Sequence, residues 1–91
     1  MKLLITESEH FSSKAIADLQ EHFEVRIENI QTREELLLKV ADCDVLFIRL
    51  GFNIDQEIIQ NAKNLKYILT ATTGLDHIDV AYFESQGGQV I

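Results

Sequence analysis

Two threonines and a glycine stand together in TATTGLDHID, residues 70–79, directly after the apolar run LKYIL. Gly74 can adopt a positive φ and lets a ligand approach the main chain closely. Successive N–H groups in such a turn form a concave surface that attracts anions. Arg49 stands near the end of another apolar run, and its planar guanidinium suits a carboxylate or a phosphate. Arg49 and the amides of Thr73 and Gly74 therefore predict a site for a small acid.

The same residues also have a purely structural interpretation. Arg49 could pair with Glu7 or Asp76, and the TTG sequence could be only a strand-to-helix turn. The residue types alone leave the two interpretations equally open.

Other common chemistries find little support in the sequence. Cys43 is the single cysteine, so no disulfide framework or CxxC site exists, and a small buried thiol is expected. The spacing of His10, His22 and His77 does not suit a metal, and we expect these histidines on the surface or at helix caps. We therefore predict no metal site.

Predicted strands and helices, which must position the candidate site, alternate along the chain. Short apolar runs indicate strands, and apolar stripes at helical spacing, preceded by Ser, Thr, Asn or Asp caps, indicate helices. The predicted strands are KLLIT, EVRIEN, DVLFIRL, LKYILTA and QVI, and the predicted helices lie at 12–23, 32–41, 53–64 and 79–88. Ser12 or Ser13, Thr32, Asn53 or Asp55, and Asp79 are the candidate caps, and Gly87 is the expected end of the last helix.

This βαβαβαβαβ order predicts an α/β fold with right-handed crossovers. We expect a flavodoxin-like, doubly wound parallel sheet of five strands in the order 2-1-3-4-5, with helices on both faces. Ligands bind at the carboxyl ends of the strands in such sheets, at the switch point between strands one and three. The residues after strands one, three and four would meet there, which would place Arg49 beside the TTG turn.

Length and charge bound the remaining possibilities. The 91 residues suit one domain, 1–91, and the formal net charge of −7 argues against nucleic acid or an anionic membrane as partner. With no membrane-length apolar run and no signal peptide in the sequence, we expect a cytoplasmic protein. Val90 and Ile91 look like the start of a buried strand, so we expect a piece of a longer protein that tends to self-associate.

The segments NLK, TGLDHID, and LFIR before NIDQEII resemble the substrate domain of the D-isomer-specific 2-hydroxyacid dehydrogenases. The element order is similar to that domain from residue 1 to 91. The resemblance implies that the amides of Thr73 and Gly74 bind the carboxylate of a small 2-hydroxy or 2-keto acid and that Arg49 faces this substrate. Leu50 departs from the serine usual in the family, so phosphoglycerate is not the assumed substrate.

The resemblance also implies parts that this sequence does not contain. The family binds NAD on a second, nucleotide-binding domain through a GxGxxG loop, which the four glycines here cannot form. The catalytic Arg, Glu and His of the family come from that later region, so we assign no catalytic and no cofactor-binding residue here. Asp76, His77 and Asp79 are expected to hold the turn and cap the helix. NAD versus NADP and the oligomeric state stay open.

The alternative is a non-enzymatic flavodoxin-like binding or interaction module. A phosphoacceptor receiver would need paired acids after strand one and an Asp at the end of strand three, where this chain has Thr6-Glu7 and Arg49. A flavodoxin would place its hydroxyl-rich phosphate loop after strand one, whereas TATTG follows strand four in this chain. A plain interaction module stays open.

Overall fold

Five short strands form one parallel sheet in a computed structural model that describes residues 1–7, 12–48, 52–70 and 77–91. The strand order is β2-β1-β3-β4-β5, which confirms the flavodoxin-like topology expected from the sequence. Parallel neighbours require crossover connections, and each crossover here contains one helix. The strands are β1 (Lys2–Ile5), β2 (Glu24–Ile27), β3 (Val45–Ile48), β4 (Tyr67–Thr70) and β5 (Gln89–Val90).

The four helices begin where short polar side chains accept a hydrogen bond from the first turn. The caps are Ser12, Thr32, Asp55 and Asp79, each within 3.2 Å of the amide nitrogen three residues later. The alternatives Ser13 and Asn53 are therefore not the caps. The helices are α1 (Ser13–Gln20), α2 (Arg33–Lys39), α3 (Gln56–Asn61) and α4 (Val80–Ser85), with a 3-10 turn (Val40–Asp42) after α2.

The helix α4 ends at Gly87, as the sequence predicted. Gly87 has a φ of 90°, the left-handed region in which glycine avoids the steric cost of a side chain. Its N–H donates to the Glu84 carbonyl at 3.0 Å, and the N–H of Gly88 donates to the Phe83 carbonyl at 3.0 Å. These bonds satisfy carbonyls that the helix end would leave unpaired and turn the chain into β5.

The two faces of the sheet are covered unequally. Leu4, Leu46 and Ile68 are fully buried against α2, α3 and α4, and we call this side the three-helix face. Their strand neighbours point the other way because side chains alternate along a strand. On this second side, the α1 face, Leu3, Ile5 and Val45 pack with α1 and its end through Leu19 and Phe23.

The α1 face retains an apolar groove of about 420 Å³. Helices thus lie on both faces, as expected, but three on one side and one on the other. The groove is lined by Met1, Phe23, Val45, Tyr67, Leu69 and Ile91.

Within the described ranges, no helix combines the length and apolar character that crossing a membrane requires.

Candidate functional site

The central strands end side by side at the carboxyl edge of the sheet. Ile5 pairs with Phe47, and Phe47 pairs with Leu69, so the next row contains Thr6, Ile48 and Thr70. The N–H of Thr6 donates to the Phe47 carbonyl at 3.4 Å, which extends the β1–β3 pairing into this row. The chain therefore leaves β1, β3 and β4 at one place, which is where a doubly wound sheet binds ligands.

A second contact joins the segments that follow β3 and β4. Ile54 and Ile78 form an isolated parallel bridge, in which the Ile54 N–H donates to the His77 carbonyl at 2.7 Å. The Asp79 N–H donates to the Ile54 carbonyl at 2.9 Å. Both isoleucine side chains are buried, so water does not compete for these bonds. We call this contact the Ile54–Ile78 bridge.

The Ile54–Ile78 bridge and the β3–β4 pairing enclose the segments that the sequence singled out. Ile48 pairs with Thr70 before these segments, and Ile54 pairs with Ile78 after them. The two loops thus start together and finish together, although 24 residues separate the isoleucines of the bridge.

The predicted site residues themselves lie outside the described residues. This applies to Arg49, Thr73 and Gly74, and also to Leu50 and Asp76. Their assignment to an acid-binding site stays a prediction.

Two polar side chains near this edge are buried. Thr6 is 1% exposed and His77 is 9% exposed. Among the described residues and atoms, neither Thr6 Oγ1 nor His77 Nε2 has a hydrogen-bond partner. The expectation that His77 lies on the surface or at a cap was therefore wrong, because the Ile54–Ile78 bridge draws its segment into the core. His22 is exposed, as expected, and His10 lies outside the described residues.

An ion-pair group lies at the starts of α2 and α3. Arg33 Nη2 donates to both carboxylate oxygens of Asp55, at 2.8 and 3.0 Å. It also donates to Glu57 Oε1 at 2.8 Å, and Arg33 Nε donates to the same oxygen at 3.2 Å. The hydrogen bond from Arg33 is the main reason that the pKa of Asp55 lies below its usual range, and the Ile58 amide adds to this effect. Sequence patterns missed this group because Arg33 stands 22 residues before Asp55 and 24 before Glu57.

The cysteine lies in a setting unsuited to nucleophilic chemistry. Cys43 is fully buried, and burial raises the pKa of its thiol to about 12. A thiol with such a pKa is protonated at neutral pH and is a poor nucleophile and metal ligand. No group of three or more His, Cys, Asp or Glu side chains among the described residues is arranged to hold a metal ion.

Comparison with known proteins decides the family. Residues 3–91 match the D-isomer specific 2-hydroxyacid dehydrogenase, catalytic domain, family profile. The chain belongs to this family. A 2-hydroxyacid dehydrogenase relative, D-3-phosphoglycerate dehydrogenase of Methanocaldococcus jannaschii, is 39% identical over 87 residues, which cover 96% of this chain. Glyoxylate reductase of Pyrococcus furiosus is 39% identical over 82 residues and covers 87% of the chain.

A solved structure of the 2-hydroxyacid dehydrogenase family shares the fold. The NAD⁺-bound 3-phosphoglycerate dehydrogenase of Entamoeba histolytica superposes over 100% of this chain with a TM-score of 0.83 and 26% identity. The matched region is 32% of that structure. The chain spans 16% of the Methanocaldococcus relative and 24% of the Pyrococcus relative. The resemblance inferred from TGLDHID and the strand-three segment is thus confirmed.

Proposed function

We propose that this chain is the substrate-binding domain of an NAD-dependent oxidoreductase that acts on the CH–OH group of a small 2-hydroxy acid. The family match over residues 3–91 carries the proposal. The carboxyl edge supports it, because β1, β3 and β4 are neighbours in the sheet and end side by side there. Residues 1–91 would be one domain of a two-domain enzyme, and the other domain would hold the dinucleotide.

In this proposal the chain orients the acid and the second domain performs the chemistry. NAD, when bound, accepts the hydride that leaves C2 of the hydroxy acid. The amides of Thr73 and Gly74 would hold the carboxylate, and Arg49 would face it. These residues contribute through proximity and electrostatics and form no covalent bond. NAD is the proposed cofactor because the Entamoeba structure contains it, and we propose a cytoplasmic, homo-oligomeric enzyme.

The test uses the protein from its complete gene with a panel of 2-keto acids and NADH. Replacement of Arg49 by Ala should weaken substrate binding by about 1.5–3 kcal/mol, the range for a hydrogen bond to a charged group. Replacement of Thr73 by Val should weaken substrate binding only slightly, because the proposed contact uses the Thr73 amide and not its hydroxyl. The KM for NADH should not change in either variant.

Lys63→Ala is the matched control, since it removes a cation from the amino edge of the sheet. If Thr73→Val abolishes activity while Arg49→Ala leaves kcat/KM intact, the site is assigned wrongly. If no keto acid oxidises NADH, the proposed activity itself is refuted. Calorimetry on residues 1–91 alone should show no NAD binding.

A further inference from the structure

β2 is an outer strand of the sheet, and its outward side is open. The strand order places β1 on one side of β2 and, in the described part of the chain, no strand on the other. The N–H groups of Glu24 and Glu28 donate to main-chain carbonyls on the β1 side, at 2.9 and 3.0 Å. Main-chain groups alternate in direction along a strand, so those of Val25 and Ile27 point away from the sheet. β2 therefore offers main-chain donors and acceptors to another strand.

This open edge continues past the last residue of β2. The Ile30 N–H donates to the Thr6 carbonyl at 3.1 Å, so the chain stays beside the β1 segment as far as Ile30. The outer strand on the other side of the sheet, β5, has only two residues. A short outer strand gives another chain little to pair with. The segment 24–30 is therefore the longer of the two open edges.

An apolar side chain is exposed on this segment. Ile27 is 39% exposed and is one of four large apolar residues classed as exposed among the described residues. It pairs with Ile5, so its side chain lies on the α1 face, whereas Arg26 pairs with Leu4 and lies on the three-helix face. An exposed isoleucine beside free main-chain groups is typical of a strand that can pair with another chain.

The charged side chains along this edge balance one another. Three salt bridges link them, and together they comprise three cations and three carboxylates. The whole protein has a formal net charge of −7, so two copies repel each other over most of their surface. The β2 edge is a neutral region where two copies can approach. Its charged residues are Lys2, Glu24, Arg26, Glu28, Lys39 and Asp42.

We infer that β2 pairs antiparallel with β2 of a second copy of this chain, about a two-fold axis at Ile27. The segment 24–30 is centred on Ile27, so this register uses all of it. The two Ile27 residues lie directly opposite each other and exchange both main-chain hydrogen bonds. Arg26 of each copy then lies opposite Glu28 of the other, and such opposite charges across strands stabilise the pair. The contact needs neither the acid nor NAD, so the inference does not depend on the proposed activity.

The neighbouring registers fit less well. An axis at Arg26 would place the two Arg26 side chains opposite each other, and like charges directly opposite destabilise a strand pair. An axis at Val25 would place Ile27 opposite Phe23, which precedes β2. The pairing would then extend beyond the strand at one end and leave residues 28–30 unused.

Cysteine crosslinking of the protein from the complete gene tests the register. The Cα atoms of a directly opposite, hydrogen-bonded pair lie about 5.5 Å apart, a separation that a disulfide can span. Under mild oxidation, Ile27→Cys should form disulfide-linked dimers at least about ten-fold faster than Ser85→Cys, because pairing raises the local thiol concentration. Ser85 is the matched control, since it is exposed on α4, between β4 and β5 at the other side of the sheet. The native Cys43 is fully buried and should not crosslink.

Equal crosslinking rates in the two variants overturn the inference. Faster crosslinking of Val25→Cys than of Ile27→Cys overturns the register.

Sedimentation velocity at several concentrations measures the association itself. Ile27→Lys should need an at least about ten-fold higher concentration for half association than the wild type, because two like charges replace an apolar pair. Ser85→Lys adds the same charge at an exposed site away from β2 and should associate like the wild type. Both sites are exposed, so both variants should fold. Equal association of Ile27→Lys and the wild type, or equal weakening in the two variants, contradicts the inference.

Discussion

At the scale of single residues, two polar side chains are buried next to the carboxyl edge of the sheet. Thr6 Oγ1 and His77 Nε2 are buried without a hydrogen-bond partner among the described residues. The main chain at both positions is hydrogen-bonded, because the Thr6 N–H and carbonyl are both paired and the His77 carbonyl accepts from the Ile54 N–H.

Arg33 and Asp55 allow a direct test of the electrostatics at this edge. Arg33→Gln should raise the pKa of Asp55, because the Arg33 hydrogen bond is the main cause of its low value. A carboxyl group with a pKa lower in the folded than in the unfolded chain stabilises the fold above its unfolded pKa. That stability disappears as the pH falls through the folded pKa.

The loss of stability below about pH 4, the ordinary range of Asp titration, should therefore be shallower in Arg33→Gln. Carbon-detected NMR titration and urea unfolding at several pH values measure both effects. Arg26→Gln is the control, because Arg26 lowers the pKa of Asp42 in the same way. It should raise the pKa of Asp42 and leave that of Asp55 unchanged. An unchanged Asp55 pKa in Arg33→Gln would contradict the ion-pair geometry.

At the scale of elements, the start of α4 has two roles. The Asp79 side chain accepts from the Tyr82 N–H at 3.1 Å, and the Asp79 main chain bonds to Ile54 in the bridge. The cap therefore holds the helix at the point where the Ile54–Ile78 bridge holds the loop. A shorter or frayed α4 would loosen residues 77–79, which form the Ile54–Ile78 bridge and the cap.

Asp79→Ala should lower the free energy of unfolding by about 1 kcal/mol, the typical cost of a lost cap. Asp79→Asn should cost less, because an amide oxygen also accepts the Tyr82 N–H. Urea denaturation of the two variants measures the difference. The main-chain bonds of the bridge stay intact in both, so a loss equal in Ala and Asn would show that charge, and not capping, is the contribution of Asp79.

At the scale of the whole molecule, the sheet divides the core into two unequal parts. The three-helix face buries Leu4, Leu46, Ile48 and Ile68 almost completely, whereas Phe47, Tyr67 and Leu69 on the α1 face are only partly buried. Burial of apolar area is the main source of stability, so the two faces should contribute unequally.

Ile68 and Leu69 are adjacent in β4 and test this asymmetry. Ile68→Ala should cost about 2–5 kcal/mol, because it leaves a cavity in a fully packed region. Leu69→Ala should cost clearly less, since Leu69 is partly buried and lines the groove. Urea unfolding at neutral pH gives both values. A cost for Leu69→Ala equal to that of Ile68→Ala would mean that the α1 face is covered more fully than the structure shows.

The sequence by itself determined the element order, the fold class and most of the caps. These features depend on neighbours within about four residues, such as the Thr32–Glu35 cap bond, or on an apolar run such as DVLFIRL. The strand order followed from choosing the flavodoxin-like arrangement for a parallel sheet of five strands. The acid-binding roles of Arg49, Thr73 and Gly74 stay predictions from residue type and resemblance.

Only the tertiary structure decided which distant residues meet. It chose Asp55 over Asn53 as the cap of α3, joined Arg33 to Asp55 and Glu57, and buried His77 behind the Ile54–Ile78 bridge. No local pattern encodes the ion pairs or the bridge, because they join residues more than 20 positions apart.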